Sequence, residues 1–172
     1  MLEIGAGIGL VGIIAAKICG PENVFCYEAN PELKPMIHHN YRLNGFTPNV
    51  TMCAVSSDGR KLTFYKNDNV VSSSIYDRGL QTNQTSIESL AINTLIERHS
   101  PQVIIMDVEG AEAELLPSAN LSKVDSLVIE MHPQVIGDKA VAGLTATLKE
   151  KGFDLIDATG NVYFYSIGNK EK

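Results

Sequence analysis

Short apolar runs alternate with helically spaced segments along this whole chain, and that alternation leaves few folds open. The runs fall at residues 2–4, 24–27, 50–55, 103–108, 127–131, 153–156 and 162–166. Between them, residues 10–19, 31–43, 87–99, 111–116 and 139–151 place apolar side chains at the spacing of a buried helix face. Pro31 in a first turn and Gly20 just past a helix end are the expected punctuation. The pattern predicts an α/β fold with a doubly wound, mostly parallel sheet. Two segments depart from it. Residues 60–77 read as an antiparallel excursion and a polar loop, and residues 153–166 as two strands joined at Thr159–Gly160–Asn161. The second adds a C-terminal antiparallel hairpin to the sheet.

The first strand runs directly into "EIGAGIGLVG", residues 3–12. From Gly7 the stretch spells G-x-G-x-x-G, a dinucleotide fingerprint; from Gly5 it spells acid-x-G-x-G-x-G, a pattern of S-adenosylmethionine (SAM) binders. Both set a helix N-terminus and bare backbone N–H groups against a nucleotide-bearing ligand. The strand should stop just before the glycine that makes the tight turn. Starting at Gly5 gives a strand 2–4 with Glu3 at its tip, where an acid suits a cationic sulfonium and ammonium. Starting at Gly7 buries Gly5 and Glu3 inside the strand, beside a loop that must approach two phosphates. Glu28 follows the second run roughly 20 residues after the loop, where an acid can take both ribose hydroxyls in either reading. The terminal hairpin and the total length favour SAM, because a dehydrogenase would normally need a second, substrate-binding domain.

At 172 residues the chain is the length of one domain. Its formal net charge of −6 and lack of a basic stripe speak against nucleic acid as partner. Cys19, Cys26 and Cys53 lie apart with no metal-ligand spacing, and are expected to pack as small apolar side chains in a reducing compartment. Glu3 stands where a signal peptide needs a basic region, and the uncharged stretch 4–16 is too short to span a bilayer. The expectation is a cytoplasmic protein without a membrane segment.

With "YEANPELKPMIHHNYRLNG", "CAVSSDGRKLTFY" and "IIMDVEGAEAELL" in view, the chain resembles the FkbM family of SAM-dependent O-methyltransferases over residues 2 to about 133. The most specific piece is Asp107-Val108-Glu109-Gly110-Ala111-Glu112. The resemblance implies a Rossmann-like class I methyltransferase fold and SAM as methyl donor. It implies that Glu3, Gly5, Gly7 and Gly9 hold the methionine portion, Glu28 with Ala29 the ribose, and Ala54 and Val55 the adenine side. Family members usually carry sequence ahead of the first strand, so the expectation is a single domain, residues 1–172, without that segment. Two smaller departures are Ile105, where a lysine often stands, and Ile87-Glu88 in place of a Leu-Asp pair.

Methyl transfer is an in-line displacement, so positioning supplies most of the acceleration and a base need only remove the hydroxyl proton. Asp107 and Glu109, two residues apart in extended backbone, would project to one side at the sheet's carboxyl edge. There they could take the acceptor's proton or hold a hard divalent cation such as Mg²⁺. Glu109 could instead cap a helix beginning near Gly110. His132, after the fifth strand, could also face the acceptor; His38 and His39 read as solvated. Ser72, Ser73 and Ser74 suit hydrogen bonding to a polyhydroxy acceptor or an ordinary turn. The expected partner is a small-molecule hydroxyl acceptor, a sugar or other metabolite. A nucleotide-binding oxidoreductase module and an inactive SAM-fold binding module remain the rivals.

Overall fold

The computed structural model describes residues 1–66 and 83–168. Its main sheet has seven strands in the order β10-β11-β9-β8-β1-β2-β3. In chain order these are β1 (Leu2–Ile4), β2 (Phe25–Glu28), β3 (Val50–Met52), β8 (Val103–Met106), β9 (Ser126–Glu130), β10 (Phe153–Thr159) and β11 (Val162–Ile167). All neighbours pair in parallel except β11, which runs antiparallel to both β9 and β10. The doubly wound sheet and the C-terminal hairpin are therefore as the sequence pattern predicts. Two small ladders stand apart: β4 (Ala54–Ser56) beside β7 (Ser89–Ala91), and β5 (Leu62–Lys66) beside β6 (Asn83–Ile87).

Strand alternation divides the core between the two faces of the sheet. Leu2, Ile4, Tyr27, Ile104, Met106, Leu127 and Ile129 join one large cluster. The apolar stripes of α3 (Ile92–His99), α4 (Glu112–Ser118) and α5 (Asp138–Glu150) close over them. On the other face, Cys26 meets Ala15 and Ala16 of α1 (Leu10–Cys19), while Ile37 and Tyr41 of α2 (Lys34–Leu43) pack on Ile13. Burial of these side chains is worth roughly 1.5–3 kcal/mol each. Among the described residues, no helix is long and apolar enough to cross a membrane.

Three expectations from the sequence need correction. The run at 50–55 is two strands, not one. The Cys53 N–H donates to the Thr51 carbonyl at 3.0 Å, and this tight turn swings Ala54 out of the main sheet toward β7. The segment 87–99 is helical only from Ile92. Before it Glu88 is exposed and Ser89 buried, a two-residue alternation, and the Ser89 hydroxyl bonds Ser56 across the β4–β7 ladder at 2.7 Å. Cys26 alone of the three cysteines is fully buried. Cys19 is exposed at the end of α1 and donates its thiol to the Ala15 carbonyl, so it is not a packing residue. Ser72, Ser73 and Ser74 lie outside the described residues, as does the rest of the polar loop from 67 to 77.

Candidate functional site

The parallel strands aim their carboxyl ends at one rim, where β1, β2 and β8 deliver the glycine loop, Glu28 and the segment after Met106. β1 stops at Ile4, directly before Gly5. Gly5 has φ +87°, and a Cβ there would collide with the Asp107 carbonyl, so only glycine lets β1 turn against β8. Gly7, also left-handed, has nothing within 4 Å of where its Cβ would stand, which leaves an open cradle. Gly9 is the left-handed residue at the N-terminus of α1, and Ile13 N–H returns to its carbonyl.

Glu28 closes this loop from the neighbouring strand. Its Oε2 accepts the Gly7 N–H at 2.8 Å and its Oε1 accepts the Asn30 N–H at 2.8 Å. Burial pushes its pKa up, although these backbone donors pull the other way. Glu3 does not stand at an open tip. It is 2% exposed and lies against Gly12 of α1 and Cys26 of β2, under the loop, and its Oε2 has no hydrogen-bond partner. Burial, with Glu28 and Asp107 adding to it, pushes its pKa up to about 7. Ala29 follows Glu28 at half-buried depth. Ala54 and Val55 are buried on β4, with Val55 inside the main core cluster.

After Met106 the chain leaves the sheet. Asp107 still donates its N–H to the Ile4 carbonyl, but Glu109 has φ +53° and Gly110 φ +111°. A left-handed turn, not strand alternation, therefore brings the two carboxylates together. They meet at His132. Its Nε2 lies 3.6 Å from Asp107 Oδ1 and 3.4 Å from Glu109 Oε2, with the ring 4% exposed. One ligand atom from each of these three residues falls within 4.8 Å of the others, a donor set that a hard cation could use. His38 and His39 are exposed on α2.

α4 begins at Glu112 with Ala111 as its N-cap, and Glu112 takes the loop's backbone. Fully buried, it accepts the Gly110 N–H on Oε2 at 2.8 Å and the His132 N–H on Oε1 at 2.8 Å. Burial works against its ionisation, yet His132 and the backbone donors hold its pKa below the usual carboxylate range. For His132 burial lowers the pKa, but Glu112, Asp107 and Glu130 raise it net. Sequence reasoning gave Glu112 no role, although it shares a helix face with buried Leu115 and Leu116. An acid inside an apolar stripe was the available signal. Glu114 was missed as well. It takes Arg60 through both oxygens, at 2.8 and 2.6 Å, and the Ser57 N–H, tying α4 to the loop after β4.

The sequence model of the methyltransferase FkbM domain matches residues 3–155. No curated protein matches the chain. Among solved structures, the fold is similar to the ribosomal protein L11 methylase of Lactobacillus delbrueckii subsp. bulgaricus. That likeness has a TM-score of 0.54 at 15% identity and covers 99% of this chain and 69% of the other. It is also similar to the precorrin-6y C5,15-methyltransferase of Geobacter metallireducens GS-15. There the TM-score is 0.50 at 13% identity, over 96% of this chain and 75% of the other.

Proposed function

The chain belongs to the FkbM methyltransferase family, and from that premise we propose that it methylates a hydroxyl of a sugar or other small metabolite with SAM as donor. The observation that carries the reading is the acidic rim, where Glu3 and Glu28 are buried with raised pKa beside Asp107. Buried carboxylates gathered at a strand edge suit a ligand that brings positive charge, as SAM does in its ammonium and sulfonium. Two phosphates would meet repulsion there, which is the argument against a nicotinamide dinucleotide.

The residues present fit SAM. Gly7 leaves an open cradle, and Glu28 keeps accepting lone pairs for ribose hydroxyls beyond the two N–H groups it already takes. The Gly5–Gly9 backbone would hold the methionine portion, with Glu3 buried beneath it, and Ala29, Ala54 and Val55 would stand on the adenine side. SAM supplies an activated methyl group. The chain's own residues then orient the acceptor oxygen and remove its proton, work that falls to Asp107, Glu109 and His132. The same trio has the donors to hold Mg²⁺ against the acceptor oxygen. A cytoplasmic setting agrees with this substrate class.

Isothermal titration with SAM, S-adenosylhomocysteine and NAD tests the cofactor. Binding of the first two and none of NAD is expected; binding of NAD alone overturns the reading. Transfer of labelled methyl from SAM to a panel of polyhydroxy compounds tests the reaction.

A further inference from the structure

The two faces of the main sheet are unequally covered. On one, Ile104, Met106, Leu127, Ile129 and Tyr165 are at most 1% exposed. Strand alternation turns the residues between them to the other face, which carries α1 and α2. The strand registers draw a row across it: Glu3 beside Ile105, Ile105 beside Val128, Val128 beside Phe164. Gly12 of α1 roofs the Glu3 end. Farther along, Ile105 and Val128 are only half-buried, and Phe164 is 37% exposed. On the same face Val103 is half-buried and Val162 is 41% exposed. Parallel strands with apolar residues on both faces are ordinarily buried on both, so β8, β9 and β11 form the floor of an open apolar channel.

Helix α1 is the wall of that channel. Gly12, Ala15 and Ala16 face the sheet, and Ile13 faces α2. At about 3.6 residues per turn, Val11 and Ile18 then lie on the flank away from α2, while Leu10, Ile14 and Lys17 point away from the sheet. Ile18 is 81% exposed, Ile14 58%, Leu10 54% and Val11 43%. Lys17 is the one charged residue of the helix. A helix apolar nearly all round belongs in an interior, yet half of α1 is exposed.

We propose that a second copy of this chain covers both, each copy's α1 lying in the other's channel. A two-fold axis running between the helices and along them achieves this, since the same surface supplies a helix and a slot one helix wide. Strands ~4.8 Å apart make three of them about 14 Å across, and a helix with its side chains measures about 10–12 Å. The result is a layer of two parallel helices between two sheets. Leu10 and Ile14 press on the partner's Ile105, the partner's Val128 and the partner's Phe164, while Val11 and Ile18 meet their counterparts across the axis. Charge fits the same register. Lys17 lies five residues beyond Gly12, about 7.5 Å along the helix, or one step down the strands. That is the level of the next row, Val103, Ser126, Ser166 and Asp154, so the lysine comes over the partner's exposed Asp154. Area fits as well. Monomers rarely expose apolar patches above about 300–600 Å², and a standard dimer buries about 800 Å² per partner. Leu10, Val11, Ile14, Ile18, Val162 and Phe164, each between 37% and 81% exposed, together reach the upper part of the first range, and the channel floor extends it toward the second.

The test is size-exclusion chromatography with light scattering on the full chain, followed up to about 100 µM, which spans the affinities of interfaces this size. The expected species has twice the mass of one chain. Ile18→Glu changes an exposed position, so the circular dichroism should stay the same. It sets two carboxylates against each other across the axis and should raise the dimer dissociation constant on the order of 100-fold or more. Leu155→Glu, 46% exposed on the opposite face beside Tyr165, should leave the dimer intact. Lys17→Asp and Asp154→Lys should each weaken the dimer, and together they should recover part of the loss. A chain that stays monomeric throughout overturns the proposal and leaves the channel to a helix of another polypeptide. A dimer that survives Ile18→Glu also overturns it, by placing the contact elsewhere. Losses from the two charge substitutions that simply add would overturn the pairing of α1 with the partner's channel in this register.

Discussion

Glu28 and Gly7 are joined by a 2.8 Å hydrogen bond across 21 residues, carboxylate to backbone N–H, so the end of β2 holds the middle of the glycine loop. The acid expected to meet a ribose is also a structural clasp. Glu28→Ala should therefore weaken S-adenosylhomocysteine binding in two ways, by losing ribose contacts and by freeing the loop. Hydrogen bonds to a charged group are worth roughly 1.5–3 kcal/mol each, so titration should show a tenfold or larger loss. Unchanged affinity would remove Glu28 from the site.

Gly5 and Gly7 should respond differently to alanine. At Gly5 the new Cβ meets the Asp107 backbone, which cannot step aside without parting β1 from β8. Gly5→Ala should give a chain that folds poorly or melts far lower. At Gly7 there is open space, so Gly7→Ala costs about 1–2 kcal/mol of left-handed strain. Its thermal midpoint should move little while affinity for S-adenosylhomocysteine drops. Equal effects on stability at both positions would contradict this division.

Glu3 predicts a pH dependence. Its pKa rises from 4.5 to about 7, so between those values the folded chain binds a proton that the unfolded chain has lost. Stability contributed by the protonated form is complete below 4.5 and falls as pH climbs toward 7, by on the order of 3 kcal/mol for a shift of this size. Urea unfolding from pH 4.5 to 7.5 should show Glu3→Gln gaining on the unsubstituted chain as pH rises. Parallel curves would deny that Glu3 is buried uncharged.

Asp107→Asn should leave S-adenosylhomocysteine binding nearly intact and lower turnover on the order of 100-fold or more. The carboxylate lies 3.6 Å from His132 Nε2 and is half exposed at the rim, where an acceptor can reach it. Full activity in the variant would end its catalytic role. Loss of activity on chelation, restored by Mg²⁺, would assign the trio to holding a cation.

The parallel sheet was legible because buried strands read as apolar runs and their helices as three- and four-residue spacing. Segment 83–91 was not. Its strands carry Asn, Gln, Thr and Ser, and β7 is fixed by a Ser89–Ser56 contact whose partners lie 33 residues apart. The site was half legible for a similar reason. Asp107, Glu109 and His132 could be picked out by residue type at strand ends, but local spacing cannot show that a left-handed turn brings the first two to the third. Glu112 was hidden twice over. An acid in a helix's first turn is ordinary on electrostatic grounds, and its partner His132 is 20 residues away. The position of Glu3 on its strand was legible but its depth was not, since its burial against Gly12 and Cys26 is a tertiary matter.

The insertion of β11 between β9 and β10 bears on how such a chain is made. β9 gains its second neighbour only when residues 162–167 arrive, and β10 has no strand to join before then. During synthesis, five strands of the main sheet can assemble while the β9 flank stays open, offering unpaired backbone to any other nascent chain. While β9 has emerged and residues 162–167 have not, the molecule is in its most adhesive state, and chaperone contact should fall once the hairpin folds in.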